Sequence, residues 1–422
     1  MLTILTTVYA VSFIDRQVIN LLVGPIRHSL VLSDLKMSLL QGLAFTIAYI
    51  LFSPVFGRLA DRWNRRNILI GGLAFWSACT IVCGWSSSYW VLFLSRIGIG
   101  AAEACVTPAS WSILSDYFDR QRLPRAMSIF LIGSQIGSGL ALIFGGLLLQ
   151  AASTEITIRP ALVGFQPWQL VFISLGLPGL LLALVLLVVR EPARSDASGL
   201  AAAPPALATV DALRFFWDGR AFFVRFYLAM ASIIMILYAM PAWMPTFLVR
   251  RHGAQLTSLG LHYGILSLVA GIAGVLSGPA VGRWVARRGH TGSTMIVVVM
   301  SAVALIPTCL VLPFVPGYRG ALAVAAVATV LFSLPQAMAV SALQLATPAG
   351  MRGLAASMYV LVVSITGLGL APTLVALLTD RVFHEPNQIG ASLGIVCVLS
   401  AILAAVLARG ALPHYRLLIA RT

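Results

Sequence analysis

Twelve runs of about 20 apolar residues follow one another along this 422-residue chain, and each run is long enough to cross a lipid bilayer as an α-helix. Only 10% of the residues are charged, whereas soluble proteins carry about 25%. The sequence therefore predicts an all-α integral membrane protein with twelve transmembrane helices. The predicted spans are residues 2–25, 37–60, 67–85, 90–116, 124–150, 168–190, 221–249, 257–283, 291–313, 318–346, 352–380 and 388–409.

The basic residues indicate how the chain is oriented in the membrane. The formal net charge is +15, and most of the lysines and arginines fall in alternate loops and in the C-terminal tail, as in "DRWNRRN" (61–67) and "GRWVARR" (282–288). Because loops rich in these residues stay on the cytoplasmic side, we expect both termini to be cytoplasmic, in a bacterial inner membrane. The same placement explains the positive charge without a nucleic-acid partner.

The sequence contains no arrangement typical of catalysis. There is no nucleophile–base pattern, no phosphate-binding loop and no cofactor fingerprint. The five cysteines all fall within predicted spans and lack disulfide or metal-ligand spacing. We therefore expect neither an enzyme nor a bound cofactor or metal ion.

A polar stretch rich in Ala, Pro and Ser divides the runs into two sets of six. It predicts an N-terminal six-helix half at residues 1–190, a flexible cytoplasmic linker at 191–220, and a C-terminal six-helix half with a short tail at 221–422. After the second span, "GRLADRWNRR" (57–66) aligns without gaps to "GPAVGRWVAR" (278–287) after the eighth. A match at equivalent places indicates duplication of a six-span unit.

The first copy of this repeat resembles the signature loop between spans two and three of the major facilitator superfamily, with Asn64 where that family usually has Gly. The resemblance implies the major facilitator fold, with two pseudo-symmetric six-helix halves. Asp61 at a helix end can cap backbone amides and pair with arginines, so this loop can form a cytoplasmic gate that breaks as the halves move. The alternative is a solvated basic loop that only fixes topology. The predicted gate residues are Gly57, Asp61, Arg62, Arg65 and Arg66.

Further segments resemble, in order, the spinster branch of this superfamily: "FIDRQVINLL" (13–22), "AFWS" (74–77), "RIGIGAAEA" (96–104) and "GSGL" (137–140). The most specific feature is an Asp-Arg pair in span one together with Arg-x6-Glu in span four. The resemblance implies that the acids at these positions form the proton-coupling and substrate site of a transporter. Spinster relatives often have a longer segment before the first span, so we expect the start of this chain to be shortened.

Four charged residues lie well inside the predicted spans, away from the span ends: Asp15, Arg16, Arg96 and Glu103. Arg96 and Glu103 are seven residues apart, so they return to nearly the same helix face, and the small residues between them allow another helix to approach closely. An isolated charge at the bilayer centre costs at least about 2.5–3.5 kcal/mol, and a neutral set of four is much cheaper to bury. The simple interpretation is a static ion-pair cluster that holds spans one and four together.

The functional interpretation depends on protonation of one acid. The pKa of a buried carboxylate is raised by desolvation and lowered by nearby arginines. Protonation of Glu103, our first choice of proton carrier, or of Asp15, the second, would leave an arginine without its partner and able to bind an anion. The expected substrate contacts in the first half are Arg16, Arg96, Ser12 and Asn20, the last two being one helical turn either side of Arg16.

The second half has no acid or base well inside its spans. Gln336 and Gln344 are predicted either to contact the substrate or to form interhelical hydrogen bonds. A cavity charged on one wall and apolar on the other suits an amphipathic anion, either lysolipid-like or a hydrophobic organic acid. The sequence thus predicts a proton-coupled secondary transporter that works by alternating access, as a monomer in the bilayer. The alternatives are a proton-coupled importer of a small organic anion and a non-transporting receptor that kept the fold.

Overall fold

A computed structural model of the protein describes residues 1–119, 122–159, 164–189, 191, 209–348 and 351–420. Within these residues every regular element is a helix, and twelve helices are long and apolar enough to cross a membrane. The predicted all-α class and the predicted number of spans are therefore confirmed. The spans are Leu2–Asn20, Asp34–Ala60, Arg65–Trp85, Tyr89–Tyr117, Arg125–Ile158, Pro167–Val188, Arg220–His252, Leu256–Arg287, Ser293–Phe314, Tyr318–Leu345, Leu354–Phe383 and Pro386–Ile419.

Most span boundaries lie within a few residues of the predicted ones, and the larger differences have a common cause. The fifth span continues to Ile158, and the twelfth continues to Ile419. In both, the helical backbone extends through polar residues beyond the apolar run. Apolar composition marks the stretch of a helix that suits lipid, whereas the hydrogen-bonded backbone ends where a cap or turn ends it.

Several spans are interrupted helices, which the sequence analysis did not predict. Each interruption breaks the α-helical ladder and leaves backbone groups that other partners can satisfy. The first span is an α-helix at Leu2–Gln17 and a 3₁₀ turn at Val18–Asn20; the second is Asp34–Ser38, a π-helical turn at Leu39–Leu43, and Ala44–Arg62; the fourth is Tyr89–Glu103 and Val106–Tyr117; the tenth is Tyr318–Ser333 and Pro335–Leu345; the eleventh is Arg352–Val363, a π-helical turn at Ser364–Leu370, Ala371–Leu377, and a π-helical turn at Leu378–Phe383.

The chain forms two compact units. The first contains Met1–Ser195, Pro241–Leu268 and Ala376–Ile389. Glycines of the fifth span allow close packing here, because a Cβ added at Gly137 would collide with the first span, and one added at Gly146 would lie 3.2 Å from the Thr257 carbonyl oxygen in the eighth.

The second unit contains Asp196–Met240, Val269–Val375 and Gly390–Thr422. Tyr227 donates its hydroxyl to the Ala355 carbonyl oxygen at 3.0 Å, which joins the seventh span to the eleventh. Most of the predicted linker, residues 192–208, lies outside the described residues, and the chain that follows forms the helix Thr209–Asp218.

Candidate functional site

A buried ion pair joins the first and fourth spans. Arg16, in the last turn of the helix Leu2–Gln17, donates from Nη2 to Glu103 Oε2 at 2.7 Å. Glu103 ends the helix Tyr89–Glu103, and the side chains of Arg16 and Glu103 are 8% and 0% exposed. Such a pair holds its geometry only while both partners stay charged, since a lone charge at this depth is costly.

Aromatic rings surround the Arg16 guanidinium group. Its Cζ lies 4.6 Å from the ring centroid of Phe13, 4.4 Å from that of Phe45 and 5.4 Å from that of Tyr49. Ring faces attract a cation and also provide an apolar surface. Phe45 and Tyr49 were not singled out from the sequence, because aromatic residues in an apolar span are ordinary.

Asp15 differs from its neighbour Arg16, because no described residue forms a hydrogen bond with its carboxyl group. The residue is 1% exposed, and neither carboxyl oxygen has a hydrogen-bond partner among the described residues. The side chains of Trp76 and Thr80 in the third span face this group without meeting hydrogen-bond geometry. A buried carboxylate without a partner is strongly disfavoured, so this arrangement suits the protonated acid.

The Arg96 guanidinium group donates hydrogen bonds to three backbone carbonyl groups. It donates to the carbonyl oxygens of Asp15 at 3.0 Å, Arg16 at 3.4 Å and Leu40 at 3.3 Å. The first two lie where the first helix gives way to its 3₁₀ turn, and Leu40 lies in the π-helical turn of the second span. Arg96 thus satisfies carbonyl groups at the interruptions of both helices.

A chain of side-chain amides extends from this cluster to the seventh span. Asn20 donates to Gln17 Oε1 at 2.5 Å, and Gln41 Nε2 donates to Asn20 Oδ1 at 3.0 Å and to the Ala242 carbonyl oxygen at 2.9 Å. Gln41 was not singled out from the sequence, although an amide inside an apolar span was a usable signal. Ser12, predicted to line the cavity, is 1% exposed and donates to the Tyr9 carbonyl oxygen.

The two predicted contacts in the second half lie on the helix Pro335–Leu345 of the second unit. Gln336 is partly exposed and its Nε2 is buried without a hydrogen-bond partner among the described residues, while Gln344 is exposed. Among the described residues no cluster of His, Cys, Asp or Glu could hold a metal ion.

One of the predicted gate residues, Arg65, is a third buried arginine. Arg65, 1% exposed, donates to Asp116 at the end of the fourth span and to Glu191 after the sixth, the latter from Nε at 2.8 Å. Arg66 donates to the Val189 carbonyl oxygen at 3.0 Å. Arg65 thus joins the ends of three spans of the first half.

The rest of this loop includes Asn64 and the other predicted gate residues. Asn64 caps the third span by accepting from the Asn67 N–H at 2.9 Å, which gives the residue that replaces the usual Gly a structural role. Arg62 is exposed, and Gly57 has no atom within 4 Å of an added Cβ. The side chain of Asp61 lies outside the described portion of the structure.

The structure is a membrane protein with twelve spans and a buried ion pair between two of them. Charged residues inside membrane spans are typical of the binding sites of membrane transporters. The model of the Major Facilitator Superfamily matches residues 5–372. The chain belongs to this superfamily of transporters and, within it, to the spinster-like branch. Membership of this superfamily of transporters agrees with the prediction of a transporter rather than an enzyme.

The chain is similar in sequence to both bacterial and vertebrate proteins. It is 29% identical over 306 residues to an MFS-type efflux pump of Mycolicibacterium smegmatis, covering 72% of this chain and 66% of that protein. It is 27% identical over 319 residues to a sphingosine-1-phosphate transporter of Danio rerio, covering 71% and 60%. The chain thus spans less than two thirds of the length of these relatives.

A solved structure agrees with the fold. A bacterial homologue of the human lysosomal transporter spinster, in an inward-facing and unoccupied conformation, superposes with a TM-score of 0.81 at 25% identity. The match covers 99% of this chain and 96% of that one.

Proposed function

We propose that this protein is a proton-coupled secondary transporter that moves an amphipathic anion by alternating access. The observation that carries the proposal is the Arg16–Glu103 ion pair, buried beside an Asp15 carboxyl group that has no hydrogen-bond partner in the described part of the chain. With Asp15 protonated, the two arginines of the cluster outnumber its one carboxylate. The cluster then holds one uncompensated positive charge in a low-dielectric setting, which favours an anion.

Exchange at Arg16 couples the anion to a proton. When an anionic head group takes the Arg16 guanidinium, Glu103 loses its partner while buried, and a lone buried carboxylate is strongly disfavoured. Glu103 therefore takes up a proton as the anion binds. The proton and the anion bind together, and their charges cancel, so the net charge of the cluster is unchanged. Binding of either one alone would add an uncompensated charge and is disfavoured.

The rings around Arg16 favour a solute with an apolar portion. An anion that reaches this guanidinium group lies against Phe13, Phe45 and Tyr49, which suits an alkyl chain better than a strongly hydrated small acid. The sphingosine-1-phosphate transporter among the relatives supports the same class, an anionic head on an apolar tail. The direction of net movement then follows from the combined solute and proton gradients.

The contacts of Arg65 bear on the predicted gate. Arg65 ties together the ends of spans three, four and six, so these spans are expected to move as one body. The neighbouring exposed arginine, Arg62, and Asp61 are then the gate residues that make and break contacts as the two halves rock.

Flux in proteoliposomes tests the coupling. Purified protein is reconstituted and uptake of radiolabelled sphingosine-1-phosphate or dodecanoate is followed with an imposed pH gradient. We expect Glu103→Gln to lose gradient-driven accumulation while still exchanging labelled for unlabelled solute, since the neutral amide mimics the protonated acid. Glu155→Gln is the matched control, because Glu155 forms an exposed pair with Arg159 away from the cluster.

Three results would contradict the proposal. Accumulation by Glu103→Gln with the wild-type pH dependence would remove Glu103 as the proton carrier. Flux that never responds to a pH gradient would remove proton coupling. Saturable binding of these solutes without any flux would favour a receptor that kept the fold.

A further inference from the structure

At the end of the helices opposite the termini, one buried acid is shared by two arginines. Asp34 begins the short helix Asp34–Ser38, and its side chain is 0% exposed. Arg250, in the last turn of the seventh span, donates from Nη1 to Asp34 Oδ2 at 2.6 Å and from Nη2 to Oδ1 at 2.7 Å. Arg27, in the preceding helix Val23–Leu30, has its Nε 3.2 Å from Asp34 Oδ1.

The two arginines are not equivalent. Arg250 makes two parallel charge-assisted hydrogen bonds, the strongest geometry available to this pair, and also donates to the Pro386 carbonyl oxygen at 2.9 Å. The Arg27 Nε is close enough for electrostatic attraction but has no aligned hydrogen-bond partner among the described residues. Its side chain is 32% exposed, against 13% for Arg250.

Two further bonds join the same segments. The backbone N–H of Leu35 donates to Asp380 Oδ2 at 2.8 Å, and Gln41 donates to the Ala242 carbonyl oxygen at 2.9 Å. The seventh and eleventh spans are therefore tied to the first part of the second span. We call these three contacts, centred on Asp34–Arg250, the outer clamp.

Release of the outer clamp has an electrostatic cost. If Arg250 simply left, Asp34 would remain as a buried carboxylate without an aligned partner, which is strongly destabilising. Arg27 lies seven residues before Asp34, in the segment that leads directly into the second span, so it stays within reach when the seventh span moves away. A small rotation of its exposed side chain would align its N–H groups with the carboxylate.

We propose that Arg27 is a standby partner that takes over the Asp34 carboxylate when Arg250 leaves. Arg27 thereby lowers the free-energy cost of opening this end of the protein, while Arg250 holds it closed. The inference rests on the alternating access proposed above. It names the residues that set the equilibrium between the open and closed states at this end of the protein. The two arginines, which share one acid, have opposite effects on opening.

Access of a thiol reagent to the seventh span tests this directly. Thr246 is four residues before Arg250 and is 7% exposed. Thr246→Cys is introduced after replacement of the five native cysteines, and labelling of the purified protein by a hydrophilic maleimide is timed in detergent. We expect Arg250→Lys, which keeps the charge but loses the parallel bonds, to accelerate labelling by about tenfold.

The decisive variant is Arg27→Gln. We expect it to slow labelling by about threefold or more, because the open state loses the partner of Asp34. Arg27→Met, which keeps the apolar stem, should act in the same way. Arg251→Gln is the matched control, since it removes a positive charge at the next residue, whose side chain is exposed.

The sign of the Arg27 effect decides the question. Labelling that becomes faster or stays unchanged in both Arg27 variants would overturn the standby role, and an unchanged rate in Arg250→Lys would overturn the outer clamp. Circular-dichroism melting of each variant verifies that the labelled protein is folded. No proton gradient or transported solute enters this measurement, so its failure and failure of the flux assay are separate results.

Discussion

At the scale of single residues, the four intramembrane charges are accommodated in three ways. Glu103 and Arg16 pair with each other, Arg96 donates to backbone carbonyls, and Asp15 has no hydrogen-bond partner among the described residues. All four were singled out from the sequence because charges are rare inside apolar runs. Their pairing was not predictable, since it depends on the distances between atoms of different helices.

The difference between the two acids predicts different effects on stability. Glu103→Gln leaves Arg16 without a carboxylate and should lower the free energy of unfolding by about 3 kcal/mol. Asp15→Asn replaces an unpartnered, buried carboxyl group with a neutral group of similar shape and should change the free energy of unfolding by less than about 1 kcal/mol. Unfolding by chemical denaturant in detergent measures both, and equal destabilisation by the two variants would contradict this account.

At the scale of helices, the interruptions lie next to the functional residues. The α-helix of the first span ends at Gln17, directly after Arg16, and the first helix of the fourth span ends at Glu103. The π-helical turn Leu39–Leu43 contains both Gln41 and the carbonyl that accepts from Arg96. In the fourth span Pro108 lies four residues after Ala104, so its ring removes a backbone hydrogen bond and crowds the Ala104 carbonyl group at the break. The other two places have no proline, so hydropathy predicts continuous helices there. The partners that satisfy the freed carbonyl groups lie on other helices.

Close packing of the second and fourth spans should make one glycine irreplaceable. A Cβ added at Gly100 would lie 3.0 Å from the Cα and carbonyl carbon of Phe45, and backbone atoms cannot rotate away. Gly100→Ala should therefore lower the free energy of unfolding by about 2 kcal/mol. Gly71→Ala is the control, because nothing lies within 4 Å of its added Cβ, and it should be neutral or stabilising by up to about 1 kcal/mol.

Thermal unfolding in detergent compares the two glycine variants. Because Phe45 also stacks on Arg16, Gly100→Ala should weaken substrate binding as well. Equal melting temperatures for Gly100→Ala and Gly71→Ala would show that the second and fourth spans can separate without cost.

At the scale of the whole molecule, family and fold agree with what hydropathy and the internal repeat predicted. The twelve spans and the superfamily match confirm the fold class. The division into two halves, the linker and the cytoplasmic placement of the termini remain predictions. The last of these depends on the basic loops, which lie alternately along the chain.

Reporter fusions test the orientation. A green fluorescent protein fused after the last residue should fluoresce and alkaline phosphatase at the same place should be inactive, because the basic loops and tail remain in the cytoplasm. Alkaline phosphatase fused after Gly253, between the seventh and eighth spans, should be active. The reverse pattern at both sites would show that the charge distribution was misinterpreted.

Some properties of this protein follow from the sequence by itself. The number of spans, the charged residues within them and the repeated loop are local properties, since each is determined by the composition of a short segment. The contacts of Gln41 with Ala242 and of Asp34 with Arg250 were decided only by the tertiary structure. Charged residues at span ends are common, so the sequence does not single them out. They contribute to stability only where the fold brings two of them together out of water. The same reason separates Asp15 from Glu103, because both acids are buried and the partners that the fold brings to each one determine which acid holds an arginine.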